Sequence, residues 1–238
     1  MKPTAYIIGV GPGSSEFLSD RARDRIRRSQ VVLGWDLDLL PARDLLTGKE
    51  VYLQDVRNYR EAAKEVAEKF RDTDAAVAIL RVGDPCISSG LTGLLELFAG
   101  YEIEVVPGVS SVQVAASLAR INIDEAVVIT FHESGDIEGR KRFMVDALRC
   151  GRHLLMLAGE ELRPDAAARY LVEHGIDERL PVLMCERLTL PDQNLCWTTL
   201  GGLREMRPYW LTVIAVIQPA STLQVLQGGD HADSVAAS

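Results

Sequence analysis

The sequence predicts an α/β protein made of two α/β domains with mainly parallel or mixed sheets. Short β-branched runs alternate with amphipathic stretches along most of the 238 residues, a pattern typical of strand–helix repeats. Runs such as Ala75–Leu80 are almost entirely apolar, as in central strands covered on both faces. The length favours two domains, since one domain usually has about 100–200 residues. We expect domains at 1–120 and 121–220 and a flexible tail at 221–238.

The first domain is predicted to hold five strands and four helices. Its helices follow from apolar residues at helical spacing, as in 58–70, and its strands from short apolar runs. The predicted strands are Tyr6–Val10, Val31–Leu33, Val51–Leu53, Ala76–Leu80 and Ile103–Val106, and the predicted helices are Ser19–Ser29, Asn58–Phe70, Gly90–Phe98 and Ser110–Leu118. A loop over Pro12–Leu18 separates the first strand from the first helix.

The second domain repeats the alternation after a hinge near Arg120–Asp124. Its last run, ending at Ile217, is apolar enough for a central strand. The predicted strands are Ala126–Phe131, His153–Leu157, Pro181–Cys185, Leu195–Thr198 and Trp210–Ile217, and the predicted helices are Lys141–Leu148, Pro164–Glu173 and Leu200–Met206.

Composition excludes several classes of function. The net charge of −8 argues against a nucleic-acid partner, because phosphate contacts need a surplus of Lys and Arg. No apolar run approaches the roughly 20 residues of a membrane span, and no secretory signal opens the chain, so we expect a cytoplasmic protein without a membrane partner. The four cysteines, without Cys-x-x-Cys spacing, predict buried thiols and no metal site.

A glycine-rich turn, Gly9-Val10-Gly11-Pro12-Gly13, follows the first strand. With Asp36 after the second strand, it permits a nicotinamide-dependent dehydrogenase as an alternative. The dinucleotide motif, however, needs a small residue that packs against an immediately following helix. Pro12 and the long loop break that pattern.

Two further loops follow predicted strands of the first domain. Gly83-Asp84-Pro85 comes after Ala76–Leu80, and Pro107-Gly108-Val109-Ser110-Ser111 comes after Ile103–Val106. Glycines let a ligand approach the backbone, and serines at a helix start offer hydroxyls and free N–H groups. Because ligands of α/β sheets bind at the carboxyl ends of strands, these loops are candidate binding loops.

Taken together with Cys185-Glu186-Arg187-Leu188, these motifs resemble the tetrapyrrole methylase family of S-adenosylmethionine (SAM)-dependent methyltransferases. The likeness extends to about Ile217. Thr130-Phe131-His132 and Pro191-Asp192-Gln193 resemble the branch that methylates a meso carbon (C5) of cobalt-precorrin-7 in cobalamin biosynthesis. That branch is expected to carry His-Gly-Arg after the strand, where this chain has His132-Glu133-Ser134. The resemblance implies two α/β domains with SAM in a cleft between them, and a homodimer.

The resemblance also implies site residues. Cofactor contacts from the first domain fall on loop positions, and those from the second on strand ends. The implied cofactor-binding residues are Val10, Gly83, Asp84, Ile87, Ser110, Ser111, Met156, Leu157, Cys185 and Tyr209. Pro12 and Gly13 are expected to form the wall under an anionic corrinoid substrate, which would need local basic clusters. The candidate clusters are Arg21 with Arg23, Arg57 with Arg60, and Arg140-Lys141-Arg142.

Proton removal after methylation would need a base, for which His132, Glu133 and Glu186 are candidates.

A decarboxylating C15-methyltransferase is a further candidate partner. Uroporphyrinogen-type and diphthine-type methylases of the same family remain alternatives. So does a non-catalytic scaffold within a corrinoid complex.

Overall fold

The structure is a computed structural model that describes residues 2–55, 57–87, 90–132 and 135–219. Two five-stranded sheets carry helices, which confirms the predicted α/β class. The chain divides into two compact units. Unit 1 comprises the described residues up to Ser111 together with Thr189–Pro191, and unit 2 comprises Val112–Leu188 and the described residues from Asp192 onward. The predicted tail, 221–238, lies outside the described residues.

The sheet of unit 1 is parallel throughout and has the order β3-β2-β4-β1-β5. Its strands are β1 (Thr4–Gly9), β2 (Val31–Gly34), β3 (Glu50–Leu53), β4 (Val77–Arg81) and β5 (Glu102–Val106). In the central strand β1, Ile7 pairs with Ile79 on one side and Val105 on the other. The carboxyl ends of all five strands therefore meet at one edge.

Helices cover both faces of this sheet. They are α1 (Asp20–Arg28), α2 (Asp36–Leu39), α3 (Tyr59–Lys69) and α4 (Leu91–Leu97), with 3₁₀ turns at Ser15–Phe17 and Leu40–Leu45. Ile26 of α1 packs in a core with Ile8, whereas Val66 of α3 packs in a separate core with Ile7. Consecutive residues of β1 thus face opposite cores, as the two-residue strand period requires.

The sheet of unit 2 is mixed, with the order β6-β7-β10-β8-β9. Its strands are β6 (Ala126–Thr130), β7 (His153–Leu157), β8 (Pro181–Glu186), β9 (Asn194–Thr199) and β10 (Thr212–Val216). Strands β6 and β7 are parallel, and β10 is antiparallel to both β7 and β8. Strands β6, β7 and β8 therefore run in one direction and end at the same edge.

The remaining helices are α5 (Ser111–Ala119), α6 (Ile137–Arg149), α7 (Pro164–Glu173) and α8 (Leu200–Leu203), with a 3₁₀ turn at Ile123–Glu125. Helix α6 begins four residues before the predicted start because Asp136 caps it, accepting a hydrogen bond from Gly139 N at 2.8 Å. Met144 of α6 and Leu171 of α7 are fully buried against the sheet. Among the described residues, no helix is both long and apolar enough to cross a bilayer.

The prediction that all four cysteines are buried is wrong for two of them. Cys185 is buried and Cys196 is partly buried, but Cys86 and Cys150 are exposed. Cys86 lies in the turn after Pro85, and Cys150 caps the end of α6, where the backbone meets solvent. Within the described ranges, no group of three or more His, Cys, Asp or Glu side chains could hold a metal ion.

His153, at the start of β7, is fully buried, and its Nδ1 accepts a hydrogen bond from Gln218 N at 3.0 Å. Burial lowers the pKa of His153, Glu125 acts in the opposite direction, and Arg152 adds to the lowering. Folding therefore favours the neutral imidazole. This contribution is present above the unfolded pKa of about 6.5 and is lost as the pH falls below it.

We expect the free energy of unfolding to fall between pH 7 and pH 5, by at most about 1.4 kcal/mol per pH unit from this one group. Denaturant unfolding of the wild type and of His153→Gln, at several pH values, measures the difference in slope. His174→Gln, at an exposed position, is the matched control. Equal slopes for the wild type and His153→Gln would contradict the prediction.

Candidate functional site

Three glycines bring the ends of β1, β4 and β5 together in unit 1. A Cβ added to Gly108 would lie 2.2 Å from Gly83 O and 2.7 Å from Gly9 C. A Cβ on Gly9 would lie 2.5 Å from Gly108 N. These contacts are far shorter than van der Waals distance and involve backbone atoms that cannot move aside. The edge thus requires glycine at Gly9 and Gly108.

The loops after β1 and β4 pair with each other through their backbones. Gly83 N donates to Gly11 O at 2.7 Å, and Gly11 N donates to Gly83 O at 3.3 Å. Val10 N donates to Arg81 O at 2.9 Å. Gly11 and Gly83 have φ of +82° and +72°, in the left-handed region that favours glycine. The glycine-rich turn is therefore fixed against the loop after β4, Gly83–Ile87, which is the second loop of the candidate site.

Asp84 joins the second loop to the third loop, Pro107–Ser111, which follows β5. Its Oδ2 accepts a hydrogen bond from Gly108 N at 3.0 Å, and its Oδ1 accepts one from Cys86 N at 2.7 Å. Ile87 N donates to Asp84 O at 3.0 Å. Ser110 is buried, and its Oγ lies 3.9 Å from the Cβ position of Gly83. The structure thus places Val10, Gly83, Asp84, Ile87 and Ser110 at one sheet edge, with Ser111 next in the chain.

Pro12 and Gly13 are buried, and Gly13 and Ser14 contact residues far along the chain. Ser14 N donates to Thr189 Oγ1 at 3.0 Å, and a Cβ on Gly13 would lie 2.7 Å from Leu190 Cδ2. Thr189 has a φ of +63°, uncommon for a β-branched residue. Such strain persists where the surrounding structure holds it in place. Thr189–Pro191 is therefore part of the candidate substrate wall, which the sequence did not reveal.

In unit 2 the predicted residues cluster where β6, β7 and β8 end. Met156 and Leu157 close β7, and Cys185 is the penultimate residue of β8. All three are buried. Burial raises the pKa of the Cys185 thiol to about 12, so the thiol stays protonated at neutral pH. A neutral buried thiol is a poor nucleophile, which suits a position near an alkylating group.

Glu186, the last residue of β8, holds Tyr209. Its Oε1 accepts a hydrogen bond from Tyr209 N, and its Oε2 accepts one from Asn194 Nδ2, both at 2.6 Å. Thr212 Oγ1 donates to Tyr209 O, and the Arg187 guanidinium lies 5.3 Å from the centre of the Tyr209 ring. Both carboxylate oxygens are thus engaged in positioning the segment that carries Tyr209.

The base candidates divide between described and undescribed residues. His132 is exposed two residues after β6, and its backbone N donates to Thr130 Oγ1 at 3.2 Å. It belongs to the same sheet edge as Glu186. Glu133 lies outside the described residues.

The predicted cofactor set fits a sulfonium ligand in its chemistry. The set offers carbonyl oxygens, hydroxyls, the Asp84 carboxylate and apolar side chains such as Ile87 and Leu157. It contains no Lys or Arg, whose charge would repel a cation. Gly83 also has no side chain that would cover the loop. The residues present therefore suit SAM.

The order of strands in the sheet of unit 1 excludes the dehydrogenase alternative. In the dinucleotide fold the glycine turn and the ribose-binding acid follow adjacent strands. Here β4 lies between β1 and β2, so Asp36, at the start of α2, follows a strand two positions away from β1. Adjacent strands are about 4.8 Å apart. Asp36 and the glycine turn therefore lack the required adjacency.

Sequence reasoning missed a buried polar cluster at the ends of β2, β3 and β4. Asp38, Gln54 and Arg81 are all buried, and Arg81 Nη1 lies 3.6 Å from Asp38 Oδ2. The sequence does contain one indication of this cluster, an arginine directly after the apolar run Ala75–Leu80. A charged residue at the end of a buried strand seldom lacks a partner.

A family of known proteins matches most of this chain. Residues 4–204 match the family described as Tetrapyrrole (Corrin/Porphyrin) Methylases. The chain is 29% identical over 209 residues to a probable cobalt-precorrin-7 C(5)-methyltransferase of Methanocaldococcus jannaschii, covering 87% of this chain and 95% of that protein.

Solved structures show the same fold. The methyltransferase CobJ superposes with a TM-score of 0.75 at 19% identity, covering 92% of this chain and 95% of that one. A uroporphyrin-III C-methyltransferase of Thermus thermophilus in complex with S-adenosylhomocysteine gives a TM-score of 0.70 at 24% identity, covering 90% and 92%. Since the family match extends over most of the chain, the protein belongs to the tetrapyrrole methylases and is a SAM-dependent methyltransferase.

Proposed function

We propose that the protein methylates the C5 meso carbon of cobalt-precorrin-7 in cobalamin biosynthesis, with SAM as the methyl donor. The single observation that carries the proposal is the match to the Methanocaldococcus relative of that name, which extends over 87% of this chain. The motifs Thr130-Phe131-His132 and Cys185-Glu186-Arg187-Leu188 support the same branch.

The chemistry asks little of the protein beyond positioning. SAM supplies a methyl group already activated for displacement. The protein must hold the acceptor carbon in line with that methyl and exclude water. Val10, Gly83, Asp84, Ile87, Ser110 and Ser111 are proposed to bind the cofactor from unit 1, and Met156, Leu157, Cys185 and Tyr209 from unit 2.

Pro12 and Gly13 are proposed as the wall that contacts the macrocycle. Contacts of Gly13 with Leu190 and of Ser14 with Thr189 hold the backbone of this wall in place. His132 is proposed to take the proton that a methylated meso carbon releases if conjugation is restored. Its exposure leaves the imidazole accessible. Glu186 is assigned to positioning, because both its oxygens already accept hydrogen bonds.

Among the basic clusters, Arg140-Lys141-Arg142 fits the substrate carboxylates best by location. Arg140 Nη1 donates to Thr130 O at 3.2 Å, beside the end of β6. Arg21 pairs with Glu104 and Lys141 pairs with Glu138, both at 2.7 Å, so the choice rests on the location of Arg140. We further propose a cytoplasmic homodimer and a decarboxylating C15-methyltransferase as a partner in the same pathway.

The proposal is tested by incubating the purified protein with labelled SAM and, separately, cobalt-precorrin-7, uroporphyrinogen III and the protein substrate of diphthine synthesis. We expect one methyl group on cobalt-precorrin-7 alone, located at C5 by NMR. Transfer to either of the other acceptors at a higher kcat/KM would overturn the assignment. Transfer to none, with normal S-adenosylhomocysteine binding, would favour a scaffold role.

A further inference from the structure

A buried carboxylate contacts the backbone where β4 leads into the second loop of unit 1. Asp38, on α2, is 4% exposed. Its Oδ1 accepts a hydrogen bond from Val82 N at 2.6 Å, and its Oδ2 accepts one from Trp35 N at 2.9 Å. Val82 immediately precedes Gly83. The carboxylate thus fixes the backbone at the point where β4 passes into the loop.

Arg81 and Gln54 complete the cluster. Arg81 Nη1 donates to Gln54 Oε1 at 2.9 Å and to Leu80 O at 2.8 Å, and it lies 3.6 Å from Asp38 Oδ2. Gln54 Nε2 donates to Tyr59 O at 2.7 Å. Burial raises the pKa of Asp38, while Arg81 and the two N–H donors act in the opposite direction. Asp38, Gln54 and Arg81 therefore link the carboxyl ends of β2, β3 and β4.

Stability alone is a weak reason for such a cluster. Taking two charges out of water is costly, and apolar residues of similar size often stabilise a fold as well or better. The hydrogen bond to Val82 N, however, does what no apolar side chain could do. It sets the direction of the backbone that pairs with Gly11 and carries the Asp84 carboxylate.

We propose that Asp38 is a positioning residue for the cofactor-binding loop Gly83–Ile87, acting through its hydrogen bond to Val82 N. Arg81 compensates the buried charge. The inference deepens the proposed function and rests on the assignment of that loop to the cofactor. It does not depend on which tetrapyrrole accepts the methyl group.

The test separates loop positioning from stability with three variants. Asp38→Ala combined with Arg81→Met removes the acceptor without leaving a buried charge unpaired. Asp38→Asn retains Oδ1 for Val82 N but loses the charge and the acceptor for Trp35 N. Ile26→Val, on the buried face of α1, lowers stability without touching the polar cluster.

S-adenosylhomocysteine affinity is measured by calorimetry, with thermal unfolding in parallel and at a temperature where each variant is folded. We expect the double variant to bind about tenfold or more weakly, as the loss of a charge-assisted hydrogen bond predicts. Asp38→Asn should stay within about threefold of the wild type although its melting temperature falls, because only the Val82 bond governs affinity. Ile26→Val should lower the melting temperature alone.

Amide hydrogen exchange gives a second measurement that does not require turnover. Exchange at Gly83 N should accelerate in the double variant and not in Ile26→Val. Wild-type affinity and exchange in the double variant would overturn the inference, as would an equal loss of affinity in Asp38→Asn. Failure of the proposed function would be seen instead as wild-type binding of S-adenosylhomocysteine without methylation of cobalt-precorrin-7.

Discussion

Gly108→Ala is expected to abolish S-adenosylhomocysteine binding and to destabilise unit 1 by about 3 kcal/mol or more. The new methyl would lie 2.2 Å from Gly83 O and 2.8 Å from Gly9 Cα. Gly9 is the last residue of β1, and Gly83, in the loop after β4, is held by backbone hydrogen bonds to Gly11. Relief would require β5 to move away from β1, which would also break the hydrogen bond from Gly108 N to Asp84 Oδ2.

Thermal unfolding and calorimetry measure both effects, and Gly100→Ala is the matched control. No heavy atom lies within 4 Å of the Cβ position of Gly100, and its φ is not in the left-handed region. We expect Gly100→Ala to keep the wild-type melting temperature and affinity. A Gly108→Ala protein that binds S-adenosylhomocysteine as tightly as the control would disprove the backbone contact between the three loops.

Glu186→Ala is expected to weaken S-adenosylhomocysteine binding about 10- to 100-fold, whereas Glu186→Gln should remain close to the wild type. Alanine removes the acceptors of Tyr209 N and Asn194 Nδ2. Glutamine retains one acceptor for Tyr209 N, and its amide N–H can donate to Asn194 Oδ1 once the Asn194 amide rotates. The two variants therefore differ in hydrogen bonding and share the loss of charge.

Methylation kinetics distinguish positioning from acid–base catalysis. If Glu186 positions Tyr209, then Glu186→Ala raises the KM for SAM and Glu186→Gln leaves kcat unchanged. If Glu186 were the base, both variants would lose kcat to the same extent, because neither side chain can accept a proton. An equal loss of kcat in the two variants would return Glu186 to the catalytic candidates.

The strands were largely predictable because their apolar runs follow simple periodicity. The predicted run 76–80 corresponds to β4 (Val77–Arg81), and the predicted run 153–157 coincides with β7. Short elements were not predictable. Helix α2 has four residues, too few to show a helical period, and the predicted loop Pro12–Leu18 contains a 3₁₀ turn at Ser15–Phe17.

The loops of the candidate site could be singled out in the sequence where the backbone requires glycine. Gly9, Gly83 and Gly108 stand out in the sequence because glycine marks turns and close approaches. Asp38 and Thr189 do not stand out, because an acid or a threonine in a loop is common. Their importance arises from partners 44 and 175 residues away in the chain.

Local periodicity and turn chemistry were enough to predict the α/β class, the succession of strands and the loops that follow them. The sheet order, with β4 between β1 and β2, emerged from the folded chain and excluded the dehydrogenase alternative. It also decided that Thr189–Pro191 packs on the glycine turn and that Asp38 holds Val82. Strand order and long-range hydrogen bonds depend on how the whole chain packs, which no local pattern encodes.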